Sequence, residues 1–258
     1  METTIETVQH DGWAVIRLAR AQKRNAANRA MREALRSALE HLAADNRVIV
    51  VTGTDTSFCA GLDLKEREAE KAAGRPDTAG EEWMDISTMI REHSSVFIAA
   101  LNGLALGAGV TLLNSCDLAI AADTASIGCP EIGFATYAGM SGPTTQLTAL
   151  RRRAAWLLLT AERIDARTAE HWGLVNEVVE AARLMARTEE LAARIAGFDP
   201  IALREVKKAI NHIPAQITGW REAMQYGNGV NVTIRQETTA AAEGLARFAN
   251  GGRNPGQG

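Results

Sequence analysis

The chain has 258 residues, of which 46% are hydrophobic and 23% charged, and its formal net charge is −3. This is the composition of an ordinary soluble globular protein, long enough for one large domain or a domain with an appendage. The negative balance argues against a nucleic-acid binder; no secretory signal opens the chain, and no apolar run is long enough to cross a bilayer.

In chain order, Ile5 to Gln9 and Trp13 to Leu18 flank His10-Asp11-Gly12 and predict a hairpin, because Asp-Gly supplies the positive φ of a tight turn. Asn28 is placed to cap a helix through Met31, Leu35, Leu39 and Leu42. Val48 to Val51 reads as a buried strand. The charged stretch Glu66 to Glu82, with Gly74-Arg75-Pro76 inside it, reads in part as a mobile insertion or lid, followed by a helix from about Glu82 to Arg91. Val96 to Leu101 and Leu118 to Ala122 are further buried strands, and the alternation of strands with helices predicts a largely parallel α/β core.

Beyond Pro143 the pattern turns helical, and Arg151-Arg152-Arg153 reads as a solvated helix start. Asp199-Pro200 is a helix-opening pair for Ile201 to Ile210. Further helices are predicted over Ala215 to Tyr226 and Val232 to Ala249, then a disordered tail from Gly251 to Gly258. Cys59, Cys116 and Cys129 show no paired metal-ligand spacing. They predict buried packing in a reducing cytoplasm. The five histidines form no constellation, and no metal site is expected.

Two glycine-containing segments carry the chemistry. Ser57-Phe58-Cys59-Ala60-Gly61-Leu62-Asp63-Leu64 follows the first buried strand, and Asn102-Gly103-Leu104-Ala105-Leu106-Gly107-Ala108-Gly109 follows the second. Each reads as strand, turn and helix start. Two such helix starts facing one spot would direct free backbone N–H groups at it, an arrangement suited to an oxyanion.

These segments resemble those of the crotonase superfamily, the enoyl-CoA hydratase/isomerase family. The resemblance extends to Arg24-Asn25-Ala26, Cys116-Asp117-Leu118-Ala119-Ile120-Ala121, Pro130-Glu131-Ile132-Gly133 and Gly173-Leu174-Val175-Asn176, in the family's order along nearly the whole chain. It implies an α/β fold, a crotonase-like spiral of ββα repeats with a C-terminal helical trimerisation region. Residues 1–197 would form the core with the acyl-CoA site, and 198–258 the oligomerisation region and tail. The substrate would be a coenzyme A thioester, with no separate cofactor, no nucleic acid and no membrane partner, in a homotrimer or homohexamer. The thioester oxygen would lie between the N–H groups of Leu62 and Ala108, the carbonyls near Ala60 and Leu64 would border the adenine, and Arg24 and Asp63 would join the coenzyme-binding set. Arg24 also reads as a surface ion-pairing residue.

The chain departs from the family at one acid. The hydratases use two glutamates; one matches Glu131, while Thr111 occupies the position of the other. A threonine hydroxyl is no base at neutral pH without an activating partner. Hydration suits a pair of carboxyls, whereas double-bond migration needs one group that removes and returns a proton, as in the Δ3,Δ2-enoyl-CoA isomerases of the family. Glu131 is therefore expected to be the proton shuttle, with Ile132, Phe134 and Tyr137 supplying an apolar setting, and Thr111 either packs or positions a water. Tyr137 either packs or donates to a substrate group, and Asp117 and Asp123 read as turn and cap residues. The family's lysine after the C-terminal phenylalanine is missing behind Phe248, with Arg253 as a substitute.

Alternatives stay open: a hydratase, hydrolase or decarboxylase of the same family, or a non-catalytic acyl-CoA-binding protein. A nicotinamide-dependent dehydrogenase is disfavoured, because Leu112 stands where the dinucleotide fingerprint needs its third glycine. Gly139-Met140-Ser141-Gly142-Pro143 misses the nucleophile elbow, with proline replacing its last glycine.

Overall fold

The structure, a computed structural model, describes residues 3–42 and 45–250. The predicted tail and Arg253 lie outside the described residues. The hairpin of β1 (Ile5–Gln9) and β2 (Trp13–Leu18) leads into α1 (Arg29–Leu42), whose first turn is capped by Asn28 accepting from the Met31 N–H at 3.0 Å. Then follow β3 (Val48–Gly53), β4 (Ser57–Cys59), α2 (Leu64–Ala72), α3 (Ala79–Glu92), β5 (Val96–Leu101), β6 (Leu104–Leu106), α4 (Ala108–Ser115), β7 (Leu118–Ala122) and β8 (Ser126–Gly128). A 3-10 turn at Pro130–Phe134 precedes α5 (Ser141–Thr148), α6 (Arg151–Thr160), β9 (Ile164–Asp165), α7 (Ala166–Trp172), β10 (Glu177–Val179) and α8 (Leu184–Ala196). The helices α9 (Pro200–Gln216), α10 (Trp220–Glu237) and α11 (Ala240–Ala249) close the described chain.

The strands form two sheets. One has six strands in the order β1-β2-β3-β5-β7-β10, and the other has four in the order β4-β6-β8-β9. Only the pairs β1–β2 and β8–β9 are antiparallel. Successive turns of chain place β3, β5 and β7 in the large sheet and β4, β6 and β8 in the small one, which is the expected ββα spiral. β4 and β6 are short strands where the sequence pattern predicts turns. Alternation along each large-sheet strand divides the core in two. Ile49, Val51, Phe97 and Leu101 face the interior with Met31, Trp83 and Ile90, while Val48, Val50, Ile98 and Ile120 pack under α8.

The charged stretch after the first glycine segment is not a loose insertion. It folds as α2 and the start of α3, tied to α1 by ion pairs. Arg32, 1% exposed, donates to Glu82 at 2.7 Å and lies 3.6 Å from Glu66; Arg29 donates to Glu70 at 2.9 Å. Arg67 pairs with Asp77 across the Gly74-Arg75-Pro76 turn. The bond and charge of Arg29 hold the Glu70 carboxyl below the ordinary carboxylate range. Glu82 is also held low, because Thr78 and Arg32 outweigh the opposing effect of its burial.

The C-terminal helices also differ from expectation. The chain is extended at Ile217, and α10 starts at Trp220 and runs through Gly227 and Gly229 to Glu237. Thr238, extended at φ −145° and ψ 149°, then breaks the helix where its hydroxyl donates to Asp199 at 2.8 Å. Asp199 meanwhile caps α9 through the Ala202 N–H. α9 is moored by Lys207, 4% exposed, whose ammonium donates to Asp117 at 2.8 Å and to the carbonyls of Ile90 and Ser95. Asp117 accepts from the Phe97 N–H as well, so it is an internal ion-pair partner rather than a simple turn residue. Asp123 accepts from the Ala181 N–H. Neither α10 nor α11 buries a residue within the chain.

Removing the buried guanidinium takes a cationic partner from Glu66 and Glu82, which among the described residues keep only their bonds to Arg29 and Thr78. Arg32→Met is expected to lower unfolding free energy by roughly 2–4 kcal/mol in denaturant titration. Arg36→Ala, at a pair 38% and 55% exposed, should stay within about 0.5 kcal/mol. The contribution of the Glu70 and Glu82 pairs is present above the unfolded carboxylate value of about 4.3. It is lost as pH falls through the lower folded values, so the protection factors of α2 amides against exchange should fall there.

Candidate active site

The small sheet gathers the site. β4, β6 and β8 run parallel as neighbours, and the chain leaving their C-terminal ends carries Leu62, Ala108 and Glu131 respectively. Ligand sites in parallel α/β sheets characteristically form at those ends.

Each backbone N–H is aimed by the carbonyl on the same peptide plane. The Gly61 carbonyl accepts from the Ala27 N–H at 2.8 Å, and the Ala27 carbonyl accepts from the Asp63 N–H at 3.1 Å. In a trans peptide N–H and C=O point oppositely, so the Leu62 N–H is turned away from Ala27. The Gly107 carbonyl accepts from the Val110 and Thr111 N–H groups at 2.8 and 3.2 Å, which turns the Ala108 N–H out of the helix start. Among the described residues neither N–H donates to a protein group.

The two segments meet only because glycines line the contact. A Cβ on Gly61, at φ +98°, would lie 3.1 Å from the Leu106 oxygen and 3.6 Å from the Ala108 nitrogen. A Cβ on Gly109 would fall 2.0 Å from the Cys59 oxygen. Trp83, fully buried on α3, donates its indole N–H to the Ala108 carbonyl at 3.0 Å and fixes the first turn of α4.

Glu131 stands beside this pair. Its Oε1 lies where a Gly107 side chain would begin, 2.8 Å from the position of a Cβ, and Gly107 has φ +52°. Oε1 accepts from the Ser141 hydroxyl at 3.1 Å, while Oε2 is buried without a protein partner among the described residues. Thr111 is 2% exposed, one helical turn beyond Gly107, and its hydroxyl likewise has no protein partner there. Asn114, the next turn on, donates to Thr144 and Thr145 of α5 at 3.3 and 3.2 Å, so hydroxyls and amides fill the seam behind Glu131.

The apolar setting expected for Glu131 lies elsewhere. Ile132, Phe134 and Tyr137 are 44%, 68% and 60% exposed, and the carboxyl is surrounded by Gly107, Ser141 and the α4–α5 seam instead. The Tyr137 hydroxyl accepts from Gln146 at 2.8 Å on the surface, so the ring is not packed inside.

The coenzyme-binding candidates divide. Arg24 is exposed, in the left-handed region at φ 51°, and forms no ion pair among the described residues; its carbonyl accepts from the Ala60 N–H at 3.0 Å. Leu64 is 55% exposed and Ala60 partly so. Asp63 is already committed. It caps α2 through the Glu66 N–H and pairs with Arg20 at 3.1 Å, the two side chains being 13% and 6% exposed. Its carboxylate is structural, its N–H donates to the Ala27 carbonyl and its own carbonyl accepts from the Arg67 N–H at 3.1 Å, so Asp63 serves the fold.

The three cysteines are buried and free. Burial pushes the Cys59 thiol up to about 12 and the Cys129 thiol up to about 11, and raises Cys116 further. None is a thiolate nucleophile at neutral pH. Sequence reading missed Ser141 and Trp83. Trp83 shares helical spacing with Ile86 and Ile90, which signals burial but not the indole's bond.

Fold and site together define an α/β spiral of the crotonase type. Residues 9–254 match the family model described as enoyl-CoA hydratase/isomerase, and the chain belongs to the enoyl-CoA hydratase/isomerase family. It is 35% identical to a putative enoyl-CoA hydratase/isomerase of Bacillus subtilis, over 81% of this chain and 82% of that one. It is 34% identical to the 2,3-dehydroadipyl-CoA hydratase of Escherichia coli, over 76% and 77%. Among solved structures, an enoyl-CoA hydratase from Bacillus anthracis superposes with a TM-score of 0.87 at 31% identity, covering 96% of both chains. Human enoyl-CoA hydratase domain-containing protein 3 gives 0.89 at 28% identity, covering 98% and 99%. Among the described residues no helix is long and apolar enough to cross a membrane.

Gly109→Ala would force backbone against backbone. It is expected to lower stability by roughly 2–4 kcal/mol in thermal or denaturant unfolding. Gly80→Ala in α3, where a Cβ meets nothing within 4 Å, should be neutral or stabilising by up to about 1 kcal/mol.

Proposed function

We propose that the protein is an enoyl-CoA isomerase acting on an acyl-CoA thioester, with Glu131 as the proton shuttle. The observation that carries this reading is a single carboxyl beside two unpartnered backbone donors, with Thr111 where a second acid would stand. The thioester oxygen accepts from the N–H groups of Leu62 and Ala108. Glu131 removes a proton from C2 of a 3-enoyl-CoA, and the electron pair spreads through C2, C3 and C4 onto the thioester oxygen as a dienolate. The same proton then returns at C4, and the double bond lies between C2 and C3. Both donors are fixed before the charge develops, so little reorganisation is needed.

Hydration is the second reading. The relatives above include named hydratases, and the buried, unpartnered Thr111 hydroxyl is suited to holding a water. Hydrolysis or decarboxylation of an acyl-CoA would use the same donors. Arg24, Ala60 and Leu64 border the coenzyme in this proposal, and the enzyme works in the cytoplasm. It assembles as a homotrimer or homohexamer through the C-terminal helices, where Trp220, Leu245 and Phe248 are 83%, 69% and 66% exposed.

The unmodified protein is expected to convert 3-hexenoyl-CoA to 2-hexenoyl-CoA, followed by the absorbance of the conjugated product. Glu131→Gln should abolish turnover and retain acyl-CoA binding; full activity in that variant would sink the shuttle. Rapid hydration of crotonyl-CoA by the unmodified protein would favour the second reading. Ala108→Pro deletes one donor at a helix position that tolerates proline and should lower kcat by about 10²–10³.

A further inference from the structure

We infer that Ser141 is a positioning residue for Glu131: its hydroxyl ties down Oε1 and leaves Oε2 as the oxygen that carries the proton. The inference rests on the shuttle reading above. Ser141 is the first residue of α5 and 1% exposed. Met140, whose side chain cannot cap, holds the N-cap position of α5, so Ser141 stands inside the first turn, and its hydroxyl donates to Glu131 Oε1 at 3.1 Å.

The carboxyl is held from several sides. The Glu131 carbonyl accepts from the Thr136 N–H at 3.3 Å and the Thr136 hydroxyl at 3.1 Å, which fixes the backbone of the short turn carrying it. Gly107 leaves just enough room for Oε1, since any side chain there would start 2.8 Å away. Oε1 is thus committed, and Oε2 is the buried oxygen without a protein partner. A carboxyl with one oxygen bonded and the other unbonded is chemically asymmetric, and the free lone pair on Oε2 is the one to accept a carbon-bound proton. Without the serine the group can rotate about its terminal bond, a soft torsion, and lose alignment with C2 and C4.

The test compares Ser141→Ala, Ser141→Thr and Glu131→Gln on 3-hexenoyl-CoA. Ser141→Ala should lower kcat about tenfold with KM unchanged within twofold and an unaltered unfolding midpoint. Ser141→Thr, which keeps the hydroxyl, should recover most of the rate. The proposal is overturned if Ser141→Ala keeps full kcat while Glu131→Gln is inactive, which leaves the shuttle intact. It is also overturned if kcat, KM and the unfolding midpoint fall together without recovery in the threonine variant. A fully active Glu131→Gln would remove the shuttle itself, a result distinguishable because it does not involve residue 141.

Discussion

The site depends on how closely Cys59–Leu62 can approach Leu106–Gly109. Main-chain atoms of the two segments come together at a separation that a single Cβ on residue 61 or 109 would disturb. That approach brings a helix start against the end of a neighbouring strand, and the carbonyls of Gly61 and Gly107 do the aiming. Because those carbonyls are engaged by Ala27 and by the first turn of α4, the opposite sides of their peptide planes are fixed without any side chain. Glu131 reaches the same place through β8, whose Gly128 carbonyl accepts from the Gly107 N–H at 3.1 Å. One short sheet therefore sets the three candidate positions in register.

The surroundings hold this arrangement in different ways. On one side α3 contributes the Trp83 bond to Ala108 and is itself clamped to α1 through the buried Arg32. On the other, α4 and α5 are joined by hydrogen bonds from the Asn114 amide to the Thr144 and Thr145 hydroxyls. Such a seam is directional. It can orient a carboxylate in a way that packing alone cannot, which is why Ser141 and Glu131 belong together.

Much of the fold was legible because its signals are local. The Asp-Gly hairpin, the Asn28 cap, the buried strands and the Asp199-Pro200 opening each lie within a few neighbouring residues. The glycine segments were legible as paired turns, and the family resemblance assigned their roles. The misses share another cause. The ion pairs that organise α2 and α3 join residues about forty to fifty apart, so the stretch looked like loose charged chain. The break at Thr238 is set by Asp199, far away in sequence. The strands β4 and β6 have three residues each, too few to establish a period. Ser141 carries no motif of its own, and its meaning comes from the turn that folds it back on Glu131.

The two donors belong to the main chain, and this shapes how the protein can diverge. Almost every exchange of side chain at Leu62 or Ala108 leaves the N–H in place, and only proline deletes it. In the proposed function, electrophilic activation of a thioester is thus shielded from most single-residue changes, while the choice of what happens next hangs on side chains at 111, 131 and 141. On that proposal one reactive intermediate can be kept while its outcomes are exchanged, with Thr111 as the position of such an exchange.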